Sequence, residues 1–136
     1  MPWISWDAEL SVGVKELDDD HKELIGVLNE IHESAAAGRN DQELSDLVER
    51  VMACAKAHFV HEERLLEQAC FPEADAHYKE HDRMIAKALS VQAAFRCGSP
   101  AALSAEFFAF LRDLLIHHIR DVDKLYGPSL NASQIH

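Results

Sequence analysis

Apolar residues recur at intervals of three and four along four stretches of this 136-residue sequence, and glycine or proline separates most of the stretches. Residues with that spacing lie on one face of an α-helix, and an apolar face must be buried against another element. Segments with the alternating pattern of a β-strand are nearly absent. Four amphipathic helices with short connections predict an all-α fold, an antiparallel up-down-up-down four-helix bundle with an extended N-terminal arm.

The breaks in this pattern predict a single domain that covers residues 1–136. The arm is expected over residues 1–17, where no helical period is sustained, and a C-terminal tail over residues 127–136. The four helices are expected at about residues 18–37, 41–70, 73–96 and 100–121.

Capping residues should mark the ends of these helices. Asp18 and Asp41 can accept a hydrogen bond from the first free N–H groups, and they are the predicted N-caps of the first and second helices. Gly38 is the predicted stop of the first helix, because glycine tolerates the left-handed backbone of a C-terminal cap. Ser99 and Pro100 are the predicted N-cap and first residue of the fourth helix.

The charge balance argues against two classes of partner. Twenty-four acidic and thirteen basic side chains give a formal net charge of −11, and a field of that sign repels nucleic acid and anionic lipid. No apolar stretch approaches the roughly 20 residues that span a bilayer, and the N-terminus lacks the pattern of a signal peptide. We therefore expect no nucleic-acid binding, no membrane insertion and a cytoplasmic location. The three cysteines have no CxxC spacing and predict no disulfide framework.

Nine histidines are many for a chain of this length, and several occupy apolar positions of the helical pattern. His58 and Glu62 are spaced i, i+4, as are His77 and His81, so each pair lies on one helix face about 6 Å apart. One buried histidine is commonly a satisfied core residue, but burying several with a carboxylate costs several kcal/mol for each unpaired charge. No matching set of core lysines or arginines is present, so a metal is the simplest partner. The other histidines on an apolar stripe are His21 and His118.

The fourth helix offers two alternative ligand pairs. His117 and Asp121 are spaced i, i+4 and would share one face of a regular helix. His118 and Asp123 are spaced i, i+5 and would point about 140° apart in a regular helix. Both could reach one centre only if the helix widened into a π-turn or ended near Asp121. Periodicity alone does not choose between the two pairs.

Five segments, in order and at matching spacing between Trp6 and about Leu130, are similar to segments of the hemerythrin family, and in particular to those of single-domain bacteriohemerythrins. The resemblance implies that the whole chain is one hemerythrin-like domain. The segments are Leu10–Val14 (LSVGV), Asp18–Lys22 (DDDHK), His58–Glu63 (HFVHEE), His77–His81 (HYKEH) and His118–Tyr126 (HIRDVDKLY).

The resemblance further implies a non-haem centre of two iron ions per chain, joined by an oxo or hydroxo bridge. It selects His118 and Asp123 as the ligand pair of the fourth helix. The implied ligands are His77, His81 and His118 for one iron, His21 and His58 for the other, and Glu62 and Asp123 as bridges between the two.

Two positions depart from the family pattern. Asp20 stands where a glutamine is expected before the first histidine. Leu114 replaces the tryptophan that is usual four residues before the histidine of the fourth helix. The first change would alter hydrogen bonds around the ligands, and the second would reshape the ligand pocket. Neither change removes an implied ligand.

The implied donors suggest a function. They leave one coordination position open on the iron that has two histidines, and dioxygen would bind there. Histidines outnumber carboxylates, whereas di-iron oxygenases use carboxylate-rich sites. We therefore expect reversible dioxygen binding for storage or delivery rather than enzymatic turnover, and delivery would need an oxygen-consuming enzyme as partner. The alternatives are a di-iron enzyme that acts on peroxide or nitric oxide, and an oxygen-sensing module.

Apolar walls around the open position would keep water away from a bound ligand. The side chains expected there are Leu24, Ile25, Leu28, Phe59, Leu114 and Leu115, for which ordinary core packing is an equal alternative. Tyr126 is expected to cap the site or to donate a hydrogen bond into it. The remaining histidines, His32, His61, His117 and His136, are expected at the surface or behind the ligands.

Overall fold

The computed structural model describes residues 3–98 and 103–136, and of Glu106 only the backbone. The chain forms a four-helix bundle, as the sequence predicts, and no strand occurs within those two ranges. No helix in the described part of the chain is long and apolar enough to cross a membrane. The helices are α1 (Lys15–Ala36), α2 (Asp41–Gln68), α3 (Ala74–Arg96), α4 (Ala105–His117) and α5 (Gly127–Ala132).

Helix α1 begins at Lys15, before Asp18, so the prediction that Asp18 is its N-cap is wrong. The N-cap is Val14, whose side chain makes no capping hydrogen bond. The carboxylate of Asp18 instead accepts hydrogen bonds from the Val12 N–H at 2.8 Å and from the Ser11 hydroxyl at 2.5 Å. Asp18 therefore ties the N-terminal arm to the first turn of α1.

The turn between α1 and α2 follows the predicted pattern except for its second cap. Gly38 has a φ of +72°, and its N–H bonds back to the carbonyl of Ala35 at 3.2 Å, which is the expected glycine stop. The N-cap of α2 is Asn40, whose side chain accepts from the Glu43 N–H at 2.9 Å. Asp41, the predicted N-cap, is the first helical residue instead.

Helix α4 begins at Ala105, later than the predicted residue 100. Its N-cap is Ser104, whose hydroxyl accepts from the Phe107 N–H at 3.2 Å. The predicted cap residues Ser99 and Pro100 lie outside the described residues. A serine oxygen five positions further along the chain thus does what was expected of Ser99.

The C-terminal segment, predicted as a tail over residues 127–136, contains a further helix, α5, over residues 127–132. The side-chain amide of Asn131 donates to the Gly13 carbonyl at 3.0 Å, and Leu130 is fully buried. Gly127 lies so close to the arm that a Cβ atom there would be 2.5 Å from the Val12 carbonyl oxygen. The arm and the C-terminus therefore pack on each other and close one end of the bundle.

Helix α3 contributes little to the apolar core. Its only buried residues are His77 and His81. Its apolar residues Met84, Ile85 and Val91 are only partly buried. The main core cluster includes Leu10 and Val14 of the arm, Leu17 of α1, Leu66 of α2 and Leu130 of α5.

Candidate metal centre

Seven buried side chains converge between the four helices, and they are the seven that the family resemblance implies as ligands. They fall into two groups, and within each group one donor atom per residue lies within 4.8 Å of the others. Both groups include the same two carboxylates. The first group is Glu62, His77, His81, His118 and Asp123, and the second is His21, His58, Glu62 and Asp123.

Glu62 turns a different carboxylate oxygen toward each group. Oε1 lies 3.0 Å from Nε2 of His81 and also contacts Nε2 of His77. Oε2 lies 3.1 Å from Nε2 of His58 and 3.8 Å from Nε2 of His21. The side chain is fully buried. A carboxylate in this position can bridge two metal ions.

Asp123 repeats the arrangement from the segment that follows α4. Its Oδ1 lies 2.9 Å from Nε2 of His118 and 3.3 Å from Nε2 of His77. Its Oδ2 lies 3.2 Å from Nε2 of His21. Each group therefore receives one oxygen from each carboxylate, together with three imidazoles in one case and two in the other.

Many of the buried nitrogen and oxygen atoms of the centre make no hydrogen bond of acceptable geometry, in spite of these short distances. Buried polar atoms are satisfied in roughly 90% or more of cases, so a dense set without partners indicates a missing ligand. Imidazole and carboxylate donors together suit iron and other first-row transition metals, and the residues present fit a metal centre. The unsatisfied atoms include both ring nitrogens of His21 and His81, Nε2 of His118 and both carboxylate oxygens of Asp123.

Without a metal, the two carboxylates draw protons onto the imidazoles. Burial would raise the pKa of Glu62 and of Asp123, but contacts with the histidines outweigh burial and hold each pKa well below its usual value. Burial would lower the pKa of His58, but its contacts with Asp20 and Glu62 raise that pKa to about 10. Contacts with both carboxylates likewise raise the pKa of His77 to about 9. A metal ion must therefore displace protons when it binds.

His118 and Asp123 reach the centre because the helix widens between them. His118–Val122 is a π-helical turn, and the N–H of Asp123 bonds to the carbonyl of His118, five residues back. A 3-10 turn, Asp123–Tyr126, follows. The alternative pair, His117 and Asp121, is exposed, and Nδ1 of His117 lies 2.8 Å from Oδ2 of Asp121 at the surface. The structure thus places the i, i+5 pair in the centre and leaves the i, i+4 pair outside it.

Two further side chains contact members of the two groups from behind. The hydroxyl of Tyr126 donates to Oε2 of Glu62 at 2.9 Å. Oδ2 of Asp20 lies 3.0 Å from Nδ1 of His58 and 2.7 Å from Nδ1 of His61. Sequence reasoning missed the contact between Asp20 and His61, because it crosses from α1 to α2. Spacing within one helix does not report the register between two helices.

The other histidines contribute no donor to the two groups. His32 stacks on Trp3 with ring centroids 4.5 Å apart, and His136 is exposed. His117 pairs with Asp121, as described above. His61 lies behind His58 and contacts it through Asp20.

An apolar cavity of about 120 Å³ lies between the helices beside the centre. Phe59 connects the two, because its ring lines the cavity and stacks on the ring of His81 with centroids 3.9 Å apart. Ile25 and Tyr126, also expected at the pocket, are buried in the main core and do not line this cavity. The expected pocket residues that do line it are Leu24, Leu28, Phe59, Leu114 and Leu115.

Known proteins share both the sequence pattern and the fold. Residues 12–130 match the family model of the hemerythrin HHE cation-binding domain. A bacteriohemerythrin of Methylococcus capsulatus is 33% identical over 133 residues, which cover 97% of this chain and 100% of that protein. A bacteriohemerythrin of Stenotrophomonas maltophilia is 27% identical and covers 97% of this chain and 84% of its own length.

Solved structures agree with these relatives. The crystal structure of a wild-type hemerythrin matches this chain with a TM-score of 0.87 and 32% sequence identity, over 94% of this chain and 98% of that one. The crystal structure of a single-residue mutant of hemerythrin matches with a TM-score of 0.88 and 32% identity, over 96% and 98% of the two chains.

Proposed function

Because the chain belongs to the hemerythrin family, we propose that it binds dioxygen reversibly at a non-haem centre of two iron ions, for storage or delivery of dioxygen. The observation that carries this proposal is the placement of Glu62 and Asp123. Each turns one oxygen toward the three-histidine group and the other toward the two-histidine group. A site for a single metal ion would not need two carboxylates that divide their oxygens in this way.

The seven side chains would divide the work of holding the metal. When bound, the iron pair supplies electrons that dioxygen takes up and later returns. Every other contribution comes from the chain itself, which holds the ions, orients their ligands and limits access. The proposed ligands are His77, His81 and His118 for one iron, His21 and His58 for the second, and Glu62 and Asp123 as bridges.

The unequal number of histidines would direct a small ligand to one of the two ions. An ion held by His21 and His58 would have one protein donor fewer than its neighbour and would therefore have room for an additional ligand. Apolar side chains such as Leu28, Phe59 and Leu114 line the cavity beside the centre, and they keep water and protons away from it. An apolar surround of this kind favours release of an unchanged ligand over its further reaction.

Iron quantitation on protein purified without air tests the metal assignment. We expect two iron ions per chain in the wild type. His58→Ala and Glu62→Ala should each bind less iron and lower the stability of the bundle, because metal binding stabilises the folded state. His117→Ala is the matched control, since His117 is an exposed histidine paired with Asp121, and it should bind as much iron as the wild type. Unchanged iron content in both ligand variants would refute the assignment.

Spectroscopy on the iron-loaded protein tests the function. Addition of dioxygen to the ferrous protein should give a new absorption that disappears when dioxygen is removed, over repeated cycles. Sustained turnover of peroxide or nitric oxide would instead show a di-iron enzyme. A cytoplasmic location and an oxygen-consuming partner enzyme belong to the same proposal. Fractionation of the native cell tests the first, and co-purification under low oxygen tests the second.

A further inference from the structure

A row of polar contacts connects the centre with the protein surface. One oxygen of Asp20 lies 3.0 Å from Nδ1 of His58 and 2.7 Å from Nδ1 of His61. The other ring nitrogen of His61 lies 3.1 Å from Oε2 of Glu16, whose side chain is 66% exposed. Helix α1 supplies both carboxylates, and helix α2 supplies both histidines. This row is built by side chains that are not themselves proposed ligands, apart from His58.

The contact with Asp20 determines which nitrogen of His58 is available to a metal. A carboxylate oxygen accepts hydrogen bonds, so Nδ1 of His58 carries the proton that it donates to Asp20. Nε2 faces Glu62 at 3.1 Å, and it is the nitrogen that can exchange a proton for a metal ion. The hydrogen bond of one ring nitrogen thus sets the metal-binding role of the other.

His61 keeps Asp20 in this position. The same oxygen of Asp20 contacts both histidines, and the side chain of Asp20 is 25% exposed. His61 is in turn held by Glu16 at its second nitrogen. Without His61, the short side chain of Asp20 would have fewer contacts that prevent its rotation toward solvent.

We propose that Asp20, held by His61, is a positioning residue of the metal centre that fixes the ring of His58 and favours the ferric state of the iron bound there. An imidazole whose N–H is bound by a carboxylate is a more basic ligand, and a more basic ligand stabilises the higher oxidation state. The inference rests on the proposed function, because it assumes iron at the centre. It adds a residue that controls how readily the iron is reduced.

The test compares two neighbouring substitutions that remove the same charge. Asp20→Asn keeps the size of the side chain. Asp19→Asn is the matched control, because Asp19 is half exposed and pairs with Lys15 at 2.6 Å rather than with a ligand. The affinity for Fe²⁺ is measured by anaerobic titration. The midpoint potential is measured by mediated titration with a reductant, in which each ferric ion takes up one electron.

Asp20→Asn should weaken binding of the second iron ion by roughly 10- to 100-fold, the usual effect of losing a partner behind a metal ligand. It should also raise the midpoint potential, by about 59 mV for each tenfold change in the ratio of affinities for ferric and ferrous iron. Asp19→Asn should leave both quantities at the wild-type values. Asp20→Glu retains the charge, so its midpoint potential should stay closer to the wild-type value than that of Asp20→Asn.

A role of Asp20 in packing alone would leave the potential unchanged, so a wild-type potential in Asp20→Asn would overturn the proposal whatever its affinity for iron. If Asp20→Asn does not fold, His61→Gln is tested in its place. This substitution removes the contact that holds Asp20, and it should raise the midpoint potential by less than the amount expected for Asp20→Asn. A wild-type potential in His61→Gln would then overturn the proposal. Failure of the wild-type chain to take up two iron ions would instead refute the proposed function, so the two failures are distinguishable.

Discussion

The hydroxyl of Tyr126 shows how a single residue supports the centre. It is fully buried and donates to Glu62 at 2.9 Å. Burial and the charges of Glu62 and Asp123 raise the pKa of Tyr126 well above its usual value. The hydroxyl therefore keeps its proton at neutral pH and remains a donor to a carboxylate that has few other neutral partners.

Replacement of Tyr126 by phenylalanine removes this donor and keeps the ring. The free energy of unfolding of the metal-free protein should fall by about 1.5–3 kcal/mol, which is typical of a hydrogen bond to a charged group. Tyr78→Phe is the control, because its hydroxyl lies 3.4 Å from the Glu63 carbonyl, and the loss there should be less than about 1 kcal/mol. Urea unfolding followed by circular dichroism measures both. Equal losses would contradict the role given to Tyr126.

At the scale of elements, the contact between the arm and α5 depends on one glycine. A Cβ atom at Gly127 would lie 2.5 Å from the Val12 carbonyl oxygen, and because both groups belong to the backbone, one element must move to admit it. Gly127→Ala should therefore cost about 1–3 kcal/mol, as overpacking does elsewhere. Gly26→Ala is the control: its Cβ would meet nothing within 4 Å, and alanine is the better helix former. Thermal unfolding should show a lower Tm for the first variant only.

The sequence predicts the four helices, because apolar spacing and glycine stops are local signals. It predicts the helix starts less well, since several polar residues near each start can act as the cap. Asp18 uses its carboxylate to bind Val12 rather than to cap α1, and Ser104 caps α4. The π-helical turn between His118 and Asp123 lets both side chains reach one centre. The local helix preferences of these residues do not encode that requirement, so the sequence pattern alone does not predict the turn.

The whole molecule carries a formal charge of −11. The stability of its metal-free form should depend strongly on pH because of the buried histidines. The pKa of His58 is about 10 and that of His77 about 9 in the folded chain, against about 6.5 in an unfolded one. Between these values the folded state retains protons that the unfolded state loses, so stability falls as pH rises. The expected slope is about 1.4 kcal/mol per pH unit for each retained proton.

Urea unfolding of metal-free protein between pH 6.5 and 10 measures this slope. The metal-loaded protein is the control, because metal has already displaced the protons and its stability should vary much less over the same range. The lowered pKa values of Glu62 and Asp123 make stability change with pH in the opposite direction. Their stabilising effect is lost only as pH falls into the acid range. A metal-free protein whose stability rises above neutral pH would contradict the protonated histidine cluster.

Helix α3 buries only His77 and His81, while Tyr78 and Ala88 pack on the core in part, so the centre is the most deeply buried contact of this helix. In a copy that holds no metal, α3 should therefore be the helix that opens most readily, and local opening exposes a chain to proteases. Copies that bind metal should open less often, because metal binding stabilises the folded state. Abundance of the protein would then follow iron supply through selective turnover, with no dedicated iron sensor required.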